Sequence, residues 1–552
     1  MLIGLYFINK NKTLKDYLLG GQNQQLLPVS LSMMTSHTSG LAMVGVPSEF
    51  YYHGINYSTM VIATLGMVPI VAFILLPTFY SLSSISINQY LEHRYTAIVR
   101  RFVSLLFILE FILYSGVTLY VPSIMLQSVS GISETVSICI VGISCLIYVT
   151  FGGIKAVIWT DVFQAAIMTL AVLCVMILGT VGAGGFGNIV EANWLGQRLD
   201  FAGYLQFDLT TRHTLFTVFF GQIFMTAFVF GTSQVQMQKS LTLPSLRLAQ
   251  WSQFLSCLFM LLYFAALTYI GLILYANYAG CDPFEGNLIN KRDSILLYYI
   301  VNDQSMLILP GLRGLFIAGI FAAAFSTLSS VNSSISALLL EDLIKPMVFQ
   351  MSEIRLTKKT EIHLSKLLAF IVGFLFIVVA INLSKVSGLL QVALTLFSTL
   401  GAPVLAAFIM GMLTRYTNTI GVLTGMIVGF AFGFHVQIMQ LSNAKPLMPT
   451  KYLTTANCPN IGYQNAVPFF EPPKNFSSID QVIGPPLERL DQISYLWICP
   501  LAFMLTFFVT TLVSFATGGH KQLVDDKLLH KWLQKGDEYP KPLDLQISVT
   551  LS

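Results

Sequence analysis

Charged residues are scarce in this chain of 552 residues: Asp, Glu, Lys and Arg together make up 10%, whereas 55% of the residues are hydrophobic. The mean hydropathy is +0.71. This balance excludes a soluble enzyme and indicates an integral membrane protein. The formal net charge is only +4, and the sequence has no basic stripe of the kind that binds nucleic acid.

Cysteine is also rare, with seven residues, and no CxxC or Cys/His spacing suggests a metal site. Five of the cysteines lie in apolar runs, and only Cys281 and Cys458 lie in long polar loops. Because both loops are predicted to face the oxidising side of a membrane, these two residues are candidates for a disulfide. Two free thiols are the alternative.

Sequence motifs of enzymes are missing: the chain has no HExxH, no nucleophile elbow and no P-loop. Residues 182–187, GAGGFG, match G-x-G-x-x-G. They follow an apolar run with no strand before them, so they do not indicate a dinucleotide site. We therefore expect neither an enzyme nor a cofactor.

The first residues, MLIGLYFI, lack the basic start and the cleavage site of a signal peptide. They are too short to span a bilayer. We interpret them as the inner end of a helix whose beginning is absent from this chain, followed by a cytoplasmic loop, so that 1–25 precedes the main membrane domain.

What the chain does contain is a series of apolar runs long enough to cross a bilayer as helices. Twelve spans are predicted, at about 26–54, 57–82, 102–127, 134–151, 155–181, 213–237, 248–277, 311–340, 363–384, 387–413, 418–440 and 493–516. Lys and Arg are concentrated in the loops of one side, which the positive-inside rule assigns to the cytoplasm together with the tail, 518–552. The long polar loop, 441–492, then faces outside, and its Asn475 is a glycosylation acceptor on the correct side.

The first ten spans form two sets of five, 26–182 and 212–413, joined by an extracellular loop, 183–211. Because each set has an odd number of spans, the two sets start from opposite sides of the membrane. This is the inverted-repeat plan of many transporters, although no clear sequence repeat accompanies it. The remaining part, 414–517, adds two spans and the long outer loop.

The first predicted span is polar in its middle: residues 35–40 read TSHTSG, and Pro28 and Pro47 flank them. Backbone groups freed at such a break cannot be solvated by lipid, so the break must face protein or a water-filled cavity. In secondary transporters, broken helices offer free carbonyls to a cation and free amides to a substrate. A kinked helix packed through its small residues is the alternative.

Residues 321–336, FAAAFSTLSSVNSSIS, carry a face of small and hydroxyl side chains. Its members, at three- and four-residue steps, are Ala323, Ser326, Thr327, Ser330, Ser333 and Ala337. One interpretation is close helix packing. The other is that Ser326 and Thr327 donate hydroxyl oxygens to a cation, because Na⁺ is a hard ion for which neutral oxygens are suitable ligands.

Asp161 lies about 9 Å into the fifth span at 1.5 Å per residue, and Gln164 follows one turn later on the same face. A carboxyl group at that depth indicates a functional site. A structural ion pair with Lys155 or with an arginine of a neighbouring helix is the alternative.

Three glutamines alternate at the end of the sixth span, before Lys239, which is assigned to the cytoplasmic side. Gln234 and Gln238 share one face. They either line a cavity or cap the inner end of the helix.

Several motifs resemble one family, in order and along nearly the whole chain. They are GVPSEFYYHG (45–54), YSGVTLYVPSIMLQSVSG (114–131), VTFGGIKAVIWTDVFQ (149–164), GTSQVQMQK (231–239), GLRGLFIAGIFAAAFSTLSS (311–330), EDLI (341–344) and ISYLW (493–497). The chain resembles the sodium/solute symporters. GVPSE, EDLI and ISYLW resemble the branch of multivitamin, monocarboxylate and iodide transporters rather than the sugar transporters.

This resemblance implies an all-α integral membrane protein of the leucine-transporter-like fold, a five-plus-five inverted repeat with additional peripheral helices. The intact family has thirteen helices, of which the first is lost or truncated here. The implied sodium site consists of the backbone carbonyls of Thr35 and Thr38 with Ala323, Ser326 and Thr327. The implied second cation region contains Asp161 and Gln164, and the substrate cavity contains His37, Ser39, Gln234 and Gln391.

The function that follows is sodium-driven symport of a small organic anion at the plasma membrane by alternating access. A monocarboxylate or a vitamin carboxylate such as biotin or pantothenate is the expected substrate, and Na⁺ is the coupling ion. Iodide or another inorganic anion is one alternative. A substrate-gated sensor or sodium leak that keeps the site without full transport is another.

His37 departs from the family pattern, which has an uncharged, often apolar residue at this position. An imidazole has an unperturbed pKa of about 6.5, near physiological pH. A protonated His37 in the break would oppose Na⁺ and favour an organic anion, which predicts pH-sensitive transport. A neutral histidine that is hydrogen-bonded in the helix interior is the alternative.

Overall fold

The apolar runs fold into helices, which are the only regular structure in the part of the chain that the structure describes. The computed structural model describes residues 14–533 apart from 83, 202–203, 304–305, 307–310, 354–355, 384–388, 443–450, 457, 459–489 and 522–523. The first ten α-helices are α1 (Leu14–Leu19), α2 (Leu26–His37), α3 (Gly40–His53), α4 (Thr59–Pro69), α5 (Leu76–Leu82), α6 (Gln89–Arg94), α7 (Ala97–Ser130), α8 (Glu134–Gly182), α9 (Phe186–Leu195) and α10 (Leu215–Gly231). The others are α11 (Gln234–Ser240), α12 (Leu246–Tyr278), α13 (Ile295–Asn302), α14 (Leu312–Leu338), α15 (Lys345–Ser352), α16 (Lys358–Leu383), α17 (Leu389–Leu413), α18 (Thr419–Ser442) and α19 (Ile498–Ala516).

All twelve predicted spans coincide with helices. Among the described residues, nine helices are long and apolar enough to cross a membrane, and the bent pair α10–α11 makes a tenth. The broken pair α2–α3 and the short apolar helix Glu134–Ile147 account for the other two. The short connection between the spans predicted at 134–151 and 155–181 is a break within α8, where Gly153 adopts φ 66° and ψ 176°.

The first predicted break is present between α2 and α3, where Thr38 and Ser39 leave the helical region of backbone space. The local sequence explains the break. The Thr35 hydroxyl donates to the Leu31 carbonyl at 3.1 Å, and the Ser36 hydroxyl donates to the Ser32 carbonyl at 2.8 Å. Such side-chain bonds compete with the helical backbone pattern, and Gly40 then begins the next helix.

A second break separates α10 from α11, and here the prediction of a continuous span over 213–237 is wrong. The chain bends by 58° between the two helices. Ser233 has an extended backbone, and its side chain accepts a hydrogen bond from the Val235 amide. The first helix of each five-span set is therefore broken, so the two sets share this feature.

Two other boundaries also differ from the prediction. Helix α7 begins at Ala97, so Arg100 and Arg101 lie in its first turns and not in a loop. Helix α14 continues through a π-helical segment, Leu339–Ile344, into α15. Lys345, predicted to lie in a loop, is thus helical, because a polar helix that projects beyond the apolar span cannot be distinguished from a loop by hydropathy.

Helix α14 occupies the centre of the bundle and packs against α2, α7, α8 and α16. Its small-residue face, from Ala323 to Ala337, is almost completely buried. Gly40 lets the start of α3 approach this helix closely, since a Cβ there would lie 3.1 Å from the Ile320 carbonyl oxygen. The interpretation of close helix packing is confirmed, since this face brings α14 directly against the break between α2 and α3.

A ladder of glycines joins the two peripheral helices α18 and α19. Its members, spaced four residues apart on α18, are Gly421, Gly425, Gly429 and Gly433. The first three pack against Ser514, Thr510 and Thr506 of α19. Small residues at this spacing let two membrane helices approach until their backbones nearly touch.

We expect Gly425→Leu to destabilise the protein by about 1–3 kcal/mol, the usual effect of overpacking. A Cβ at this position would already lie 2.8 Å from the Thr506 carbonyl oxygen. Thr424→Leu serves as the control, because it introduces the same side chain at the neighbouring position, where the hydrogen bond of the threonine hydroxyl is exposed. Thermal unfolding in detergent should separate the two variants, and equal stability would contradict the ladder.

A disulfide joins Cys281, after α12, to Cys458 in the loop before α19, with their Cα atoms 4.9 Å apart. The Asp282 amide donates to the Thr454 carbonyl beside it at 2.8 Å. Nearby, the backbone amide of Lys451 donates to the Tyr52 carbonyl at the end of α3 at 2.9 Å. The side chain of Lys451 is buried close to the positive charge of Arg198, and both effects lower its pKa, to about 8. This loop is thereby fixed over the end of α3. The predicted glycosylation acceptor, Asn475, lies outside the described residues.

The pairing predicts the number of reactive thiols in the denatured protein. The other cysteines of the chain, five in number, are free, so a maleimide of high mass should add five labels before reduction and seven after it. In Cys281→Ser the six remaining thiols should all react without reduction. Seven labels on the unreduced wild type would contradict the disulfide.

Candidate sodium and solute site

The end of α2 and the middle of α14 meet through hydroxyl groups. The Ser326 hydroxyl donates to the Thr35 hydroxyl at 2.9 Å. The Thr327 hydroxyl donates to the Ser36 carbonyl at 3.1 Å and to the Ala323 carbonyl at 3.2 Å. All five residues are buried. Four of the predicted sodium ligands thus lie together, and Ser36, which sequence reasoning left out, supplies the carbonyl of α2 that α14 contacts.

The neutral oxygens gathered here are those that a hard cation takes as ligands. Two oxygens near this contact are buried without a hydrogen-bond partner among the described residues: Thr38 Oγ1 and Asp161 Oδ1. A buried polar atom without a partner costs free energy. A bound Na⁺ with its remaining waters would satisfy such atoms, so the residues present fit the ion.

The predicted second cation region contains a charge that the sequence interpretation assigned elsewhere. Lys239 does not lie at the cytoplasmic surface: its ammonium is 2.9 Å from Asp161 Oδ2, and both side chains are fully buried. Asp161 therefore forms an ion pair, but its partner is Lys239 and not Lys155 or an arginine, as the sequence suggested. Gln164 is 91% buried, and its Oε1 has no partner within the described part of the chain.

A cavity lies beside these contacts, between the two helix breaks. Its polar wall contains Ser36, His37, Ser39, Ser233, Gln236, Gln222, Tyr57 and Thr327. The rest is apolar and aromatic, with Phe111, Tyr114, Phe264 and Phe397. No Asp, Glu, Lys or Arg lies among the described lining residues. This lining, apolar and aromatic with a few polar groups, is that of a site for a small organic molecule.

The placement predicted for Gln234 in this cavity is wrong. Its amide nitrogen donates to the Ile85 carbonyl at 2.7 Å, and its amide oxygen accepts from the Ile87 amide at 3.0 Å. Because α11 begins only at Gln234, the bend turns Gln236 to the cavity instead. Gln238 does not line the cavity either, since it donates to the Leu18 carbonyl at 2.7 Å. Gln391 lies outside the residues whose side chains are described.

Two glutamine oxygens in the cavity wall are buried without a partner among the described residues, Gln222 Oε1 and Gln236 Oε1. The amide nitrogen of Gln236 donates to the Met33 carbonyl at 3.1 Å. These amides can reorient to donate or accept. Sequence reasoning missed Gln222 because it lies within an apolar helix and carries no charge.

His37 faces the cavity from the end of α2. Its ring lies 5.1 Å from that of Phe230 and 6.3 Å from that of Phe264. No hydrogen-bond partner for its ring nitrogens exists within the described residues. The imidazole therefore contacts aromatic rings and the cavity, and the alternative of a hydrogen-bonded interior histidine is wrong for this conformation.

The start of α3 points into the same space, because Ser39 and Leu41 line the cavity on either side of Gly40. The Ala42 amide donates to the Ser39 carbonyl at 3.0 Å, so among the described residues the amides of Gly40 and Leu41 are the ones left for a ligand at this helix start. The helix dipole places partial positive charge there. Helix α3 is 14 residues long. An anion can thus be bound here without a cationic side chain.

Comparison with known proteins identifies the family of this chain. The model of the sodium:solute symporter family matches residues 17–429. The chain is 34% identical to a putative sodium-dependent multivitamin transporter of Drosophila melanogaster over 93% of its length and 83% of that protein's. It is 32% identical to the Homo sapiens sodium-coupled monocarboxylate transporter 1 over 96% of its length and 87% of that protein's.

Two solved structures share the architecture. A substrate-bound, outward-open Na⁺-coupled sialic acid symporter superposes with a TM-score of 0.75 at 21% identity, over 93% of this chain and 95% of that one. A closed transporter of the nucleobase-cation-symport-1 family gives a TM-score of 0.53 at 11% identity, over 92% and 96%. The leucine-transporter-like fold expected from the sequence is confirmed.

Proposed function

The chain belongs to the sodium:solute symporter family, and from this premise we propose that it couples Na⁺ entry to that of a small organic anion. A monocarboxylate or a vitamin carboxylate such as biotin or pantothenate is the substrate class that its relatives favour, since they are named multivitamin and monocarboxylate transporters. The protein is a transporter and not an enzyme.

The proposed sodium site consists of the carbonyls of Thr35 on α2 and of Thr38 in the break after it, with Ala323, Ser326 and Thr327 on α14. The contacts of the two α14 hydroxyls with Thr35 and Ser36 support it, as does the unpartnered Thr38 hydroxyl. An ion bound here joins the two helices. It would thereby stabilise the conformation in which the cavity is open to the outside.

The proposed solute site is the cavity between the two helix breaks. The observation that carries this proposal is its composition: aromatic rings and neutral hydrogen-bonding groups surround the start of α3. A carboxylate would bind at the amides of this helix end, and the organic part would lie against Phe111, Phe264 and Phe397. Once Na⁺ and solute are bound, the ten-helix core would rock inward and release both.

Uptake in cells tests this function. Labelled lactate, biotin, pantothenate and iodide are offered in Na⁺ medium and in medium with an impermeant organic cation. We expect Na⁺-dependent uptake of an organic anion. Uptake of iodide alone would make the protein an inorganic anion symporter; the aromatic rings that line the cavity favour an organic solute. A sodium current with no accumulation of solute would indicate a sensor or leak.

The partly buried imidazole of His37, which faces the cavity, predicts a pH-dependent solute affinity. A carboxylate bound beside the imidazole favours its protonated form, so acidification from about pH 8 to 5.5 should tighten binding of the anion and weaken binding of Na⁺. In His37→Phe both dependences should flatten, whereas His363→Phe, at an exposed position on α16, should behave as wild type. The substrate must be a strong acid that stays ionised throughout. Identical profiles in His37→Phe and wild type would assign the residue a structural role.

A further inference from the structure

We propose that Gln222 binds a polar group of the solute at a distance from its carboxylate, so that this protein favours an elongated acid with a hydrogen-bonding group at its far end. A short monocarboxylate would leave the amide of Gln222 unpaired. The inference rests on the proposed function and narrows its substrate class. It makes Gln222 a specificity-determining residue.

The two helix breaks lie at the same end of the solute cavity. His37 is the last residue of α2, and the centre of its ring is 5.1 Å from that of Phe230, which immediately precedes the last residue of α10. The amides of Gly40 and Leu41, at which the proposed function places the solute carboxylate, follow His37 within four residues. The position of the carboxylate is therefore close to the end of α10.

Gln222 lies at the other end of the cavity. The described residues of α10 that line the cavity are Gln222, Met225 and Val229, and their spacing places them on one face of the helix. Eight residues separate Gln222 from Phe230, which corresponds to about 12 Å along the helix axis. A three-carbon acid spans only about 4 Å, so it cannot extend from the start of α3 to this amide.

The side-chain amide of Gln222 has no hydrogen-bond partner among the described residues, although the residue is only 4% exposed. Its backbone carbonyl is engaged, since it accepts from the Thr226 hydroxyl at 2.7 Å. A buried amide without a partner costs free energy. Because a primary amide both donates and accepts hydrogen bonds, a hydroxyl, amide or ureido group of the solute would satisfy it.

The walls that α3 and α10 contribute between these two ends are apolar. Ala42 and Val46 line the cavity from α3, and Met225 and Val229 line it from α10. A hydrocarbon chain is favoured against such a surface, whereas a polar group placed there would lose its hydrogen bonds to water. The cavity thus offers amides for a carboxylate, an apolar middle and a second polar end at Gln222. That order matches an acid whose apolar chain carries a polar group.

The test is a series of acids of increasing length, added to the purified protein in saturating Na⁺, with dissociation constants taken from ligand-induced thermal stabilisation. At each length from about three to nine carbons, an acid with a terminal hydroxyl is compared with the unsubstituted acid of equal heavy-atom count. In wild type we expect the hydroxy acid to bind about 5- to 100-fold more tightly at one of the longer lengths. At three carbons it should bind no more tightly than its unsubstituted counterpart.

Three variants connect this preference to Gln222. Gln222→Met removes the amide but keeps the length of the side chain, so the preference for the hydroxy acid should disappear. Gln222→Asn withdraws the amide by one methylene, so the preference should move to a hydroxy acid one carbon longer. Gln253→Met is the matched control: Gln253 on α12 is also buried with an unpartnered Oε1 among the described residues, but it is not among the described residues that line the cavity. This control should keep the wild-type series.

The outcomes separate this inference from the proposed function. Equal binding of hydroxy and unsubstituted acids at every length in wild type would overturn the inference, as would a folded Gln222→Met protein that keeps the preference. If Gln222→Met does not fold, the wild-type series and Gln222→Asn decide, and an unshifted optimum in Gln222→Asn would contradict a direct contact. Binding of iodide in Na⁺ medium without binding of an acid of any length would instead refute the proposed function.

Discussion

Thr327→Ala is expected to raise the Na⁺ concentration for half-maximal uptake by about 10- to 100-fold, because a polar contact to a charged group contributes about 1.5–3 kcal/mol. The Thr327 hydroxyl lies between the Ser36 and Ala323 carbonyls, at the contact of α2 with α14. Alanine removes this oxygen and leaves the Cβ in place. The amount of protein at the surface should change much less than the affinity for Na⁺.

Two variants make the assignment specific. Thr327→Ser retains the hydroxyl and should restore most of the affinity. Ser336→Ala removes another buried hydroxyl from α14, one that donates only within its own helix, to the Ser333 carbonyl at 2.9 Å, and should leave Na⁺ dependence near that of wild type. If Thr327→Ala responds to Na⁺ as the wild type does, this residue is not a ligand.

Asp342→Asn is expected to cost about 3–5 kcal/mol of stability, the usual effect of breaking a buried ion pair from one side. Asp342, within the π-helical segment after α14, is fully buried. Its Oδ1 accepts from Arg100 Nη2 at 2.6 Å and from Nε at 3.0 Å. Its Oδ2 accepts from Ser86 at 2.8 Å and from Ser104 at 2.5 Å. An amide in this place would turn N–H donors toward the guanidinium or the hydroxyls.

The contacts of Asp342 explain the size of this effect. They tie the segment between α5 and α6 to the start of α7 and the end of α14, and Gln234 of α11 binds the same segment at Ile85 and Ile87. Glu285→Gln is the control, since the Glu285–Arg292 pair is 43% and 39% exposed and such pairs contribute at most about 1 kcal/mol. Thermal unfolding and surface expression should separate the variants, and equal losses would contradict a special role for Asp342.

The features that sequence predicts well here are those that depend on local composition. The hydroxyl-rich run with Gly40 that breaks the first span is one of them, because its side chains compete directly for backbone carbonyls. The spans themselves follow from hydropathy, and the small face of α14 follows from its periodicity. Each of these properties belongs to a segment and can be evaluated without knowing its neighbours.

The misplaced residues depend on contacts between distant segments. The sequence places Lys239 at a surface, because a basic residue at the end of an apolar run commonly lies at the membrane interface. Its partner, Asp161, is 78 positions away in the sequence, so no local pattern indicates the buried pair. Gln234 is misplaced for the same reason, because the bend after Gly231 turns its side chain away from the cavity and toward Ile85 and Ile87. Gly231-Thr232-Ser233 does contain small and hydroxyl residues, so a break was detectable there, but its 58° angle was not.

The central claim, that a Na⁺ gradient drives solute accumulation through the contact of α2 with α14, is tested most directly in proteoliposomes. Purified protein is reconstituted with an inward Na⁺ gradient, and the internal concentration of a labelled monocarboxylate or biotin is followed with time. The account predicts a transient rise above the external concentration, abolished by a sodium ionophore and absent in Thr327→Ala at a Na⁺ concentration limiting for that variant. Equilibration to the same level with and without the gradient would contradict it.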